Sequence, residues 1–235
     1  MKNIVILSGA GMSAESGLKT FRDSNGLWEG HDIMEVASPI GWRNSPTTVL
    51  DFYNQRRKQL LKVNPNKAHA TLVTLEDFYN VSIITQNVDD LHERAGSSEV
   101  LHLHGELLKV RSQFDENLIF DWKNDLNLGD LCEHKSQLRP HIVWFGEDVP
   151  LFDKAIEITR KADVVCIIGT SMQVYPAASL IEYATTTEIF YIDPNPQYSS
   201  HKNIKIIPKK ATLAVPDLVD SLIKNGIINA TLKFK

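Results

Sequence analysis

The chain has 235 residues, 43% hydrophobic and 23% charged, with a formal net charge of −4. That is the composition of an ordinary globular protein, and its mild acidity argues against nucleic acid or an anionic membrane surface as the main partner. Two cysteines cannot staple a chain of this size and cannot make a four-thiolate zinc cage, so they fit a reducing, cytoplasmic setting.

The first apolar run, Ile4–Leu7, leads into Gly9-Ala10-Gly11. It is too short for a signal peptide and reads as a buried strand. Further short runs follow at Val81–Ile84, Val100–Leu103, Ile142–Trp144, Val164–Ile168, Ile189–Ile192 and Ile204–Ile207. Most are continuous rather than alternating, the pattern of parallel strands buried on both faces.

Helical patterns separate these runs. Ser45-Pro46 reads as an N-cap and first-turn proline opening a helix to about Lys62, and Asn64-Pro65 repeats the device for a helix to about Tyr79. Leu151–Ala162, Ala177–Ala184 and Pro216–Lys224 complete the set. The alternation predicts an α/β fold, a doubly wound parallel Rossmann-like sheet. Residues 30–62 and 106–139 fit the rhythm poorly and are expected to form a small second lobe over one edge. The core would then comprise residues 1–29, 63–105 and 140–235, and the crevice between core and lobe is the natural site.

Gly9-Ala10-Gly11-Met12-Ser13-Ala14 fits G-x-G-x-x-G/A directly after a strand, where glycines allow a tight turn and let backbone N–H groups reach a pyrophosphate at a helix N-terminus. The acidic residue of the hydride-transfer fingerprint, expected about 20 positions on, is missing. Three strand ends carry dense polar clusters: Thr85-Gln86-Asn87-Val88-Asp89, His104-Gly105-Glu106 and Gly169-Thr170-Ser171. His104 is the general-base candidate, because imidazole titrates near neutrality and a glycine follows it. His102 shares its strand face, and His69 and His92 fall on predicted helices. His31, His141 and His201 carry no usable signal.

Together these motifs resemble the sirtuin family of NAD-dependent protein-lysine deacylases. The carrying segments are Gly9–Gly17, Thr20-Phe21-Arg22, Gln86–Asp89, His104–Glu106, Gly169–Ser171 and Val174-Tyr175-Pro176-Ala177, in family order. Asp89–Gly96 and Arg139–Glu147 look most like the compact bacterial branch. The resemblance implies that a loop from Gly9 to Trp28, including Ala10, Gly11, Ser13 and Glu15, wraps NAD, with Phe21 and Arg22 near ribose and phosphates. It implies that Gln86, Asn87 and Asp89 hold the ribose and carboxamide, and that His104 and Asn87 are catalytic. Gly169, Thr170 and Ser171, with Asp193, Asn195 and Ala211, would meet the adenosine. Val143, Phe145, Gly146, Glu147, Val174 and Tyr175 would flank an acyl-lysine peptide bound as a strand.

The implied chemistry is not redox. The acyl amide oxygen attacks the nicotinamide ribose and expels nicotinamide. His104 then helps a ribose hydroxyl attack the imidate carbon, giving free lysine and an O-acyl-ADP-ribose. Tyr53 and Arg56, at i and i+3 on a helix, share a face and suit a carboxylate. The resemblance matches this pair to the desuccinylase and demalonylase branch, so succinyl- and malonyl-lysine are the expected substrates, with acetyl-lysine beside them. Arg57 and Lys58 read as solvated. ADP-ribose transfer to protein, NAD hydrolysis and a non-enzymatic NAD sensor are the competing readings. The chain is expected to be a monomer.

Family members carry four cysteines in the small lobe. Here Arg111-Ser112-Gln113 has none, and only Cys132 remains beside His134. Half the cage is missing, so no metal site is expected. The lobe is expected to rest on Phe114, Leu118, Ile119, Phe120 and Trp122, and Cys166 to be inert core.

Overall fold

The computed structural model describes residues 1–19, 30–186, 188–197 and 203–232, with side chains as far as 224. Strand β1 (Asn3–Ser8) feeds a short helix α1 (Ala10–Ser13). Three helices without a strand follow: α2 (Ile33–Val36), α3 (Pro39–Asn44) and α4 (Pro46–Leu60). Helix α5 (Lys67–Val73) leads to β2 (Asn80–Thr85), α6 (Leu91–Ala95) and β3 (Val100–His102). Next come β4 (Gly105–Ser112), β5 (Ile119–Asp121) and β6 (Leu138–Ile142). The chain continues through α7 (Phe152–Arg160), β7 (Val164–Ile168), β8 (Ile189–Ile192), β9 (Ile204–Ile207) and α8 (Ala211–Leu232).

Six strands form a parallel sheet in the order β3-β2-β1-β7-β8-β9. The order reverses between β1 and β7, which makes that junction the switch point of a doubly wound sheet. Strand alternation assigns its apolar residues to two faces. Ile4, Ile6, Val164, Cys166 and Ile168 pack with α5 and α8, whereas Val5, Leu7, Val165 and Ile167 pack with α7 and the turn of 3-10 helix at Ala177–Tyr183. Both faces are covered, which is why the strands read as continuous apolar runs.

A third apolar cluster joins α2–α4 to the second sheet, antiparallel in the order β5-β4-β6. Val49, Phe52, Tyr53 and Leu60 meet Leu107, Val110, Leu126, Leu138, Ile142 and Trp144 there. This sheet departs from the sequence reading, which put no strand in 106–139 and a parallel strand at 142–144. The register of β4 against β6 shifts between Gly105 and Val110, so the buried Leu107 and Val110 lie three apart and the period-2 signal is lost. Pro140 sits inside β6, tolerated because β6 is an edge strand.

The apolar residues expected to hold this region are different too. Phe114, Ile119 and Phe120 are exposed, and of the five only Trp122 packs on the cluster. Arg57, read as solvated, is buried at 1% exposure. Its guanidinium donates to Leu107 O, Asn54 Oδ1 and Asn124 O, tying α4 to the second sheet. Lys58 is exposed and pairs with Asp125 at 2.7 Å.

Two helix starts also shift. Asn66, not Asn64, caps α5: its side chain accepts from the Ala68 and His69 amides while His69 Nδ1 accepts from Asn66 N. α8 begins at Ala211 and carries Pro216 inside it.

Candidate functional site

The site begins where β1 and β7 end side by side. A Cβ on Gly9 would meet Thr170 Cβ at 2.6 Å, and one on Gly11 would meet Gly169 Cα at 2.7 Å. Gly169 itself has φ +63. These three glycines let the first turn lie on the end of β7, backbone against backbone. The amides of Gly9 and Gly11 are spent on that contact: Gly9 N donates to Ile168 O and Gly11 N to Gly169 O. The glycines thus shape the cradle through their missing side chains rather than through their own N–H groups.

A cavity of about 760 Å³ opens from this cradle. Gly9, Ala10, Gly11, Ser13 and Glu15 line it from the first turn, Gln86, Asn87 and Asp89 from beyond β2, and His104 from beyond β3. Gly169, Thr170 and Ser171 contribute from beyond β7, and Asp193 and Asn195 from beyond β8. Val143, Phe145, Gly146, Glu147, Val174 and Tyr175 form the rim, and Tyr53 and Arg56 reach it from α4. Of the described candidates, only Ala211 does not line it. Ala211 is buried under the sheet at the start of α8, although its neighbour Lys210 does reach the cavity. Phe21, Arg22 and Trp28 lie outside the described residues.

The polar groups are held in register. Gln86 Nε2 donates to Thr170 Oγ1 at 3.1 Å, bridging the two halves of the sheet. Asn87 Nδ2 donates to Ser13 Oγ at 3.1 Å, which ties the β2 end to the first turn. Burial pushes the Asp89 carboxyl up to about 6, against hydrogen bonds from Ser13 and the Leu91 amide. Glu15 accepts from the amide and hydroxyl of Thr212, joining the turn to α8.

His104 Nδ1 lies 3.1 Å from Gln86 O. A carbonyl only accepts, so Nδ1 carries the proton and Nε2 keeps its lone pair. Burial lowers the pKa of the ring, and the Gln86 contact opposes that only in part. Gly105, at φ +82, lets β4 turn away beside His141 O, which a Cβ would strike. His104 thus presents a neutral, oriented imidazole to the cavity, able to accept a proton at Nε2.

Apolar residues in or beside the second sheet, Leu107, Ile142 and Trp144, also line the cavity, together with Tyr53 and Arg56 of α4. Trp144 Nε1 donates to Tyr53 OH at 3.0 Å, and burial pushes the phenol well above its usual range. The half-buried Arg56 guanidinium stands 4.7 Å from the Phe52 ring centroid.

Glu147 has an additional task that the sequence did not reveal. Its carboxylate accepts from Arg139 at 2.6 and 3.1 Å, from Arg111 at 3.3 Å and from the Trp144 amide at 2.8 Å. Arg139 in turn stacks 3.4 Å from the Trp144 ring centroid. The rim loop is therefore clamped from inside by an ion cluster. Val143, Phe145 and Glu147 also spend their amides internally, on His104 O, Ala37 O and Trp144 O. Trp144, Leu107, Ile142 and Lys210 line the cavity and were not among the candidates. The apolar three sit in or beside the unpredicted antiparallel sheet.

The corner around Cys132 does not fit zinc. Its thiol lies 3.2 Å from Ser112 Oγ, and His134 turns outward against Phe114. Among the described residues no group of three or more His, Cys, Asp or Glu side chains is placed to hold a metal. Cys166 is buried in β7, and burial pushes its thiol up to about 12.

The fold and cavity define a class: a doubly wound sheet whose switch point carries a glycine cradle, a polar strand-end cluster and an oriented histidine, with a smaller antiparallel sheet contributing to the same cavity. The chain belongs to the Sir2 family, whose model matches residues 9–176. A relative from Helicobacter pylori (strain ATCC 700392 / 26695), an "NAD-dependent protein deacylase", is 63% identical over 227 residues, covering 95% of this chain and 99% of the relative. A solved Sir2 homolog–NAD complex is 38% identical with a TM-score of 0.84, covering 96% of this chain and 91% of that one. A solved Sir2 bound to acetylated peptide is 25% identical with a TM-score of 0.78, covering 93% and 92%.

Proposed function

We propose that this Sir2-family chain, an NAD-dependent protein deacylase, removes succinyl and malonyl groups from protein lysines and acetyl groups less well. The observation that carries the acyl preference is that Tyr53 and Arg56 share one cavity with His104. A fixed phenol and a guanidinium bind a carboxylate by charge-assisted, directional hydrogen bonds. An acetyl group offers them nothing to bind.

NAD, consumed in the reaction, supplies the ADP-ribosyl group that accepts the acyl chain. The glycine cradle, Ser13, Thr170 and Ser171 suit its phosphates and adenosine side, with Asp193 and Asn195 beyond them. Gln86, Asn87 and Asp89 are positioned toward the ribose and carboxamide. His104 Nε2 takes the proton from a ribose hydroxyl, with Nδ1 fixed on Gln86 O. The acyl-lysine enters over Gly146 and Tyr175, both exposed on the rim. Trp144 and Leu107 keep water from the acyl chain.

The test is Arg56→Met. Losing a charge-assisted carboxylate contact is expected to raise KM for a succinyl peptide by roughly 10- to 100-fold, with deacetylation little changed. Desuccinylation at unaltered KM would sink the carboxylate clamp.

A further inference from the structure

His102 ends β3, two residues before His104, and is buried at 8% exposure. Each ring nitrogen faces an acceptor. Nδ1 lies 3.0 Å from Asn87 O, and Nε2 lies 2.7 Å from Glu93 Oε1. A backbone carbonyl and an ionised carboxylate both lack a proton to give. A neutral imidazole has one N–H, so one of these two contacts would set lone pair against lone pair at hydrogen-bond distance. Only the doubly protonated ring satisfies both. The neighbouring histidines differ: His104 meets one acceptor, and His92 Nε2 meets the Ser8 hydroxyl at 3.0 Å, which donates as readily as it accepts.

We propose that His102 is held as a buried imidazolium between Glu93 and the Asn87 carbonyl, and that it positions the Asn87–Asp89 segment of the NAD cavity. It is a positioning residue, acting through Asn87, and its functional part rests on the NAD-site reading above. Asn87 is then fixed from two sides, by His102 at its carbonyl and by Ser13 at its amide side chain. The charges around the ring favour the cation. Glu93 faces it from α6, Glu106 from β4 and Asp89 from the loop, against the neutral His92 on α6. Lys109 stands behind, paired with Glu106 and facing Glu93. Burial is the largest influence and opposes the charge on His102, but Glu93, the Asn87 carbonyl and Glu106 together outweigh it, so its pKa is raised. The same cation draws down the carboxyl of Asp89, which burial raises.

The experiment uses the full chain labelled with ¹⁵N-histidine. Long-range ¹H–¹⁵N spectra are recorded against pH, with His102 identified by its loss in His102→Gln or by its response to Glu93→Gln. Both ring nitrogens are expected to be protonated at pH 7, and Glu93→Gln is expected to lower the pKa of His102 by about one unit or more. A singly protonated His102 ring at pH 7 in the unaltered protein overturns the proposal. Nicotinamide release is followed in parallel. His102→Gln is expected to raise KM for NAD and to cut kcat/KM roughly tenfold or more, with kcat at saturating NAD falling less. Glu93→Gln is expected to move the alkaline limb of kcat/KM to lower pH. Unchanged KM and pH profile in both variants would overturn the positioning role. If His102→Gln does not fold, Glu93→Gln carries both readouts, because that carboxylate is 39% exposed. An unaltered protein that releases no nicotinamide would contradict the NAD reading instead, and the spectra still decide the charge of His102.

Discussion

His104 and Arg56 line one cavity, and each has its own measurement. Burial holds the His104 ring below its ordinary pKa, so the base is already deprotonated at neutral pH. Activity is then expected to hold on a plateau near pH 7 and, on the acid side, to fall as pH drops through the pKa values of His104 and of Asp89, the latter about 6. The acid limb of kcat/KM checks this; a limb centred above pH 7 would contradict it. His104→Ala is expected to lower turnover by about 10²- to 10⁴-fold while NAD still binds. His104 was legible in the sequence because a histidine at a strand end beside a glycine is a short, local signal. The inward role of Glu147 and the burial of Arg57 were not, since the first draws on Arg111 as well as the nearby Arg139 and the second on Leu107 and Asn124, partners that only the folded chain brings close. Arg57 lies beside Lys58 in a charged run, and only tertiary packing separates a bridge from a solvated face.

At the scale of elements, the parallel sheet was readable because burial on both faces leaves uninterrupted apolar runs. The antiparallel sheet was not, for three reasons in its own residues: the register shift in β4, Pro140 inside β6, and the buried Arg111 and Arg139 that hold Glu147. Charged residues in a strand read as surface unless their counter-ion is known. The same geometry sets a stability expectation. Arg57→Met removes three hydrogen bonds and strands the Leu107 and Asn124 carbonyls. It is expected to cost about 2–3 kcal/mol in urea unfolding. A midpoint equal to that of the unaltered protein would show that α4 and the second sheet do not depend on this bridge.

For the whole molecule, pH acts through buried histidines. Burial lowers His69 and His141 to about 4 and His92 to about 3. Their folded values lie below the unfolded value near 6.5, so the unfolded chain binds more protons in acid. Their contribution is present above pH 6.5 and is lost as pH falls toward 4 and 3. The His102–Glu93 pair adds a window: His102 is raised and Glu93 lowered, so the pair contributes between about pH 4.5 and 6.5 and fades beyond the shifted values on either side. Urea midpoints measured from pH 8 to pH 4 are expected to fall on the acid side, and a flat profile would contradict this. The Cys132 corner adds a metal prediction. With Cys132 bonded to Ser112, a chelator is expected to leave Tm unchanged, and about one equivalent of zinc in purified protein would contradict that.

The most direct test of the account gives the protein NAD and matched acetyl, malonyl and succinyl peptides and follows every product by mass spectrometry. The expected result is free lysine, nicotinamide and an O-acyl-ADP-ribose in equal amounts, with the succinyl and malonyl peptides turned over at higher kcat/KM than the acetyl peptide. ADP-ribose attached to protein, or nicotinamide released with no deacylated peptide, would contradict the deacylase reading, and a preference for the acetyl peptide would contradict the role given to Tyr53 and Arg56.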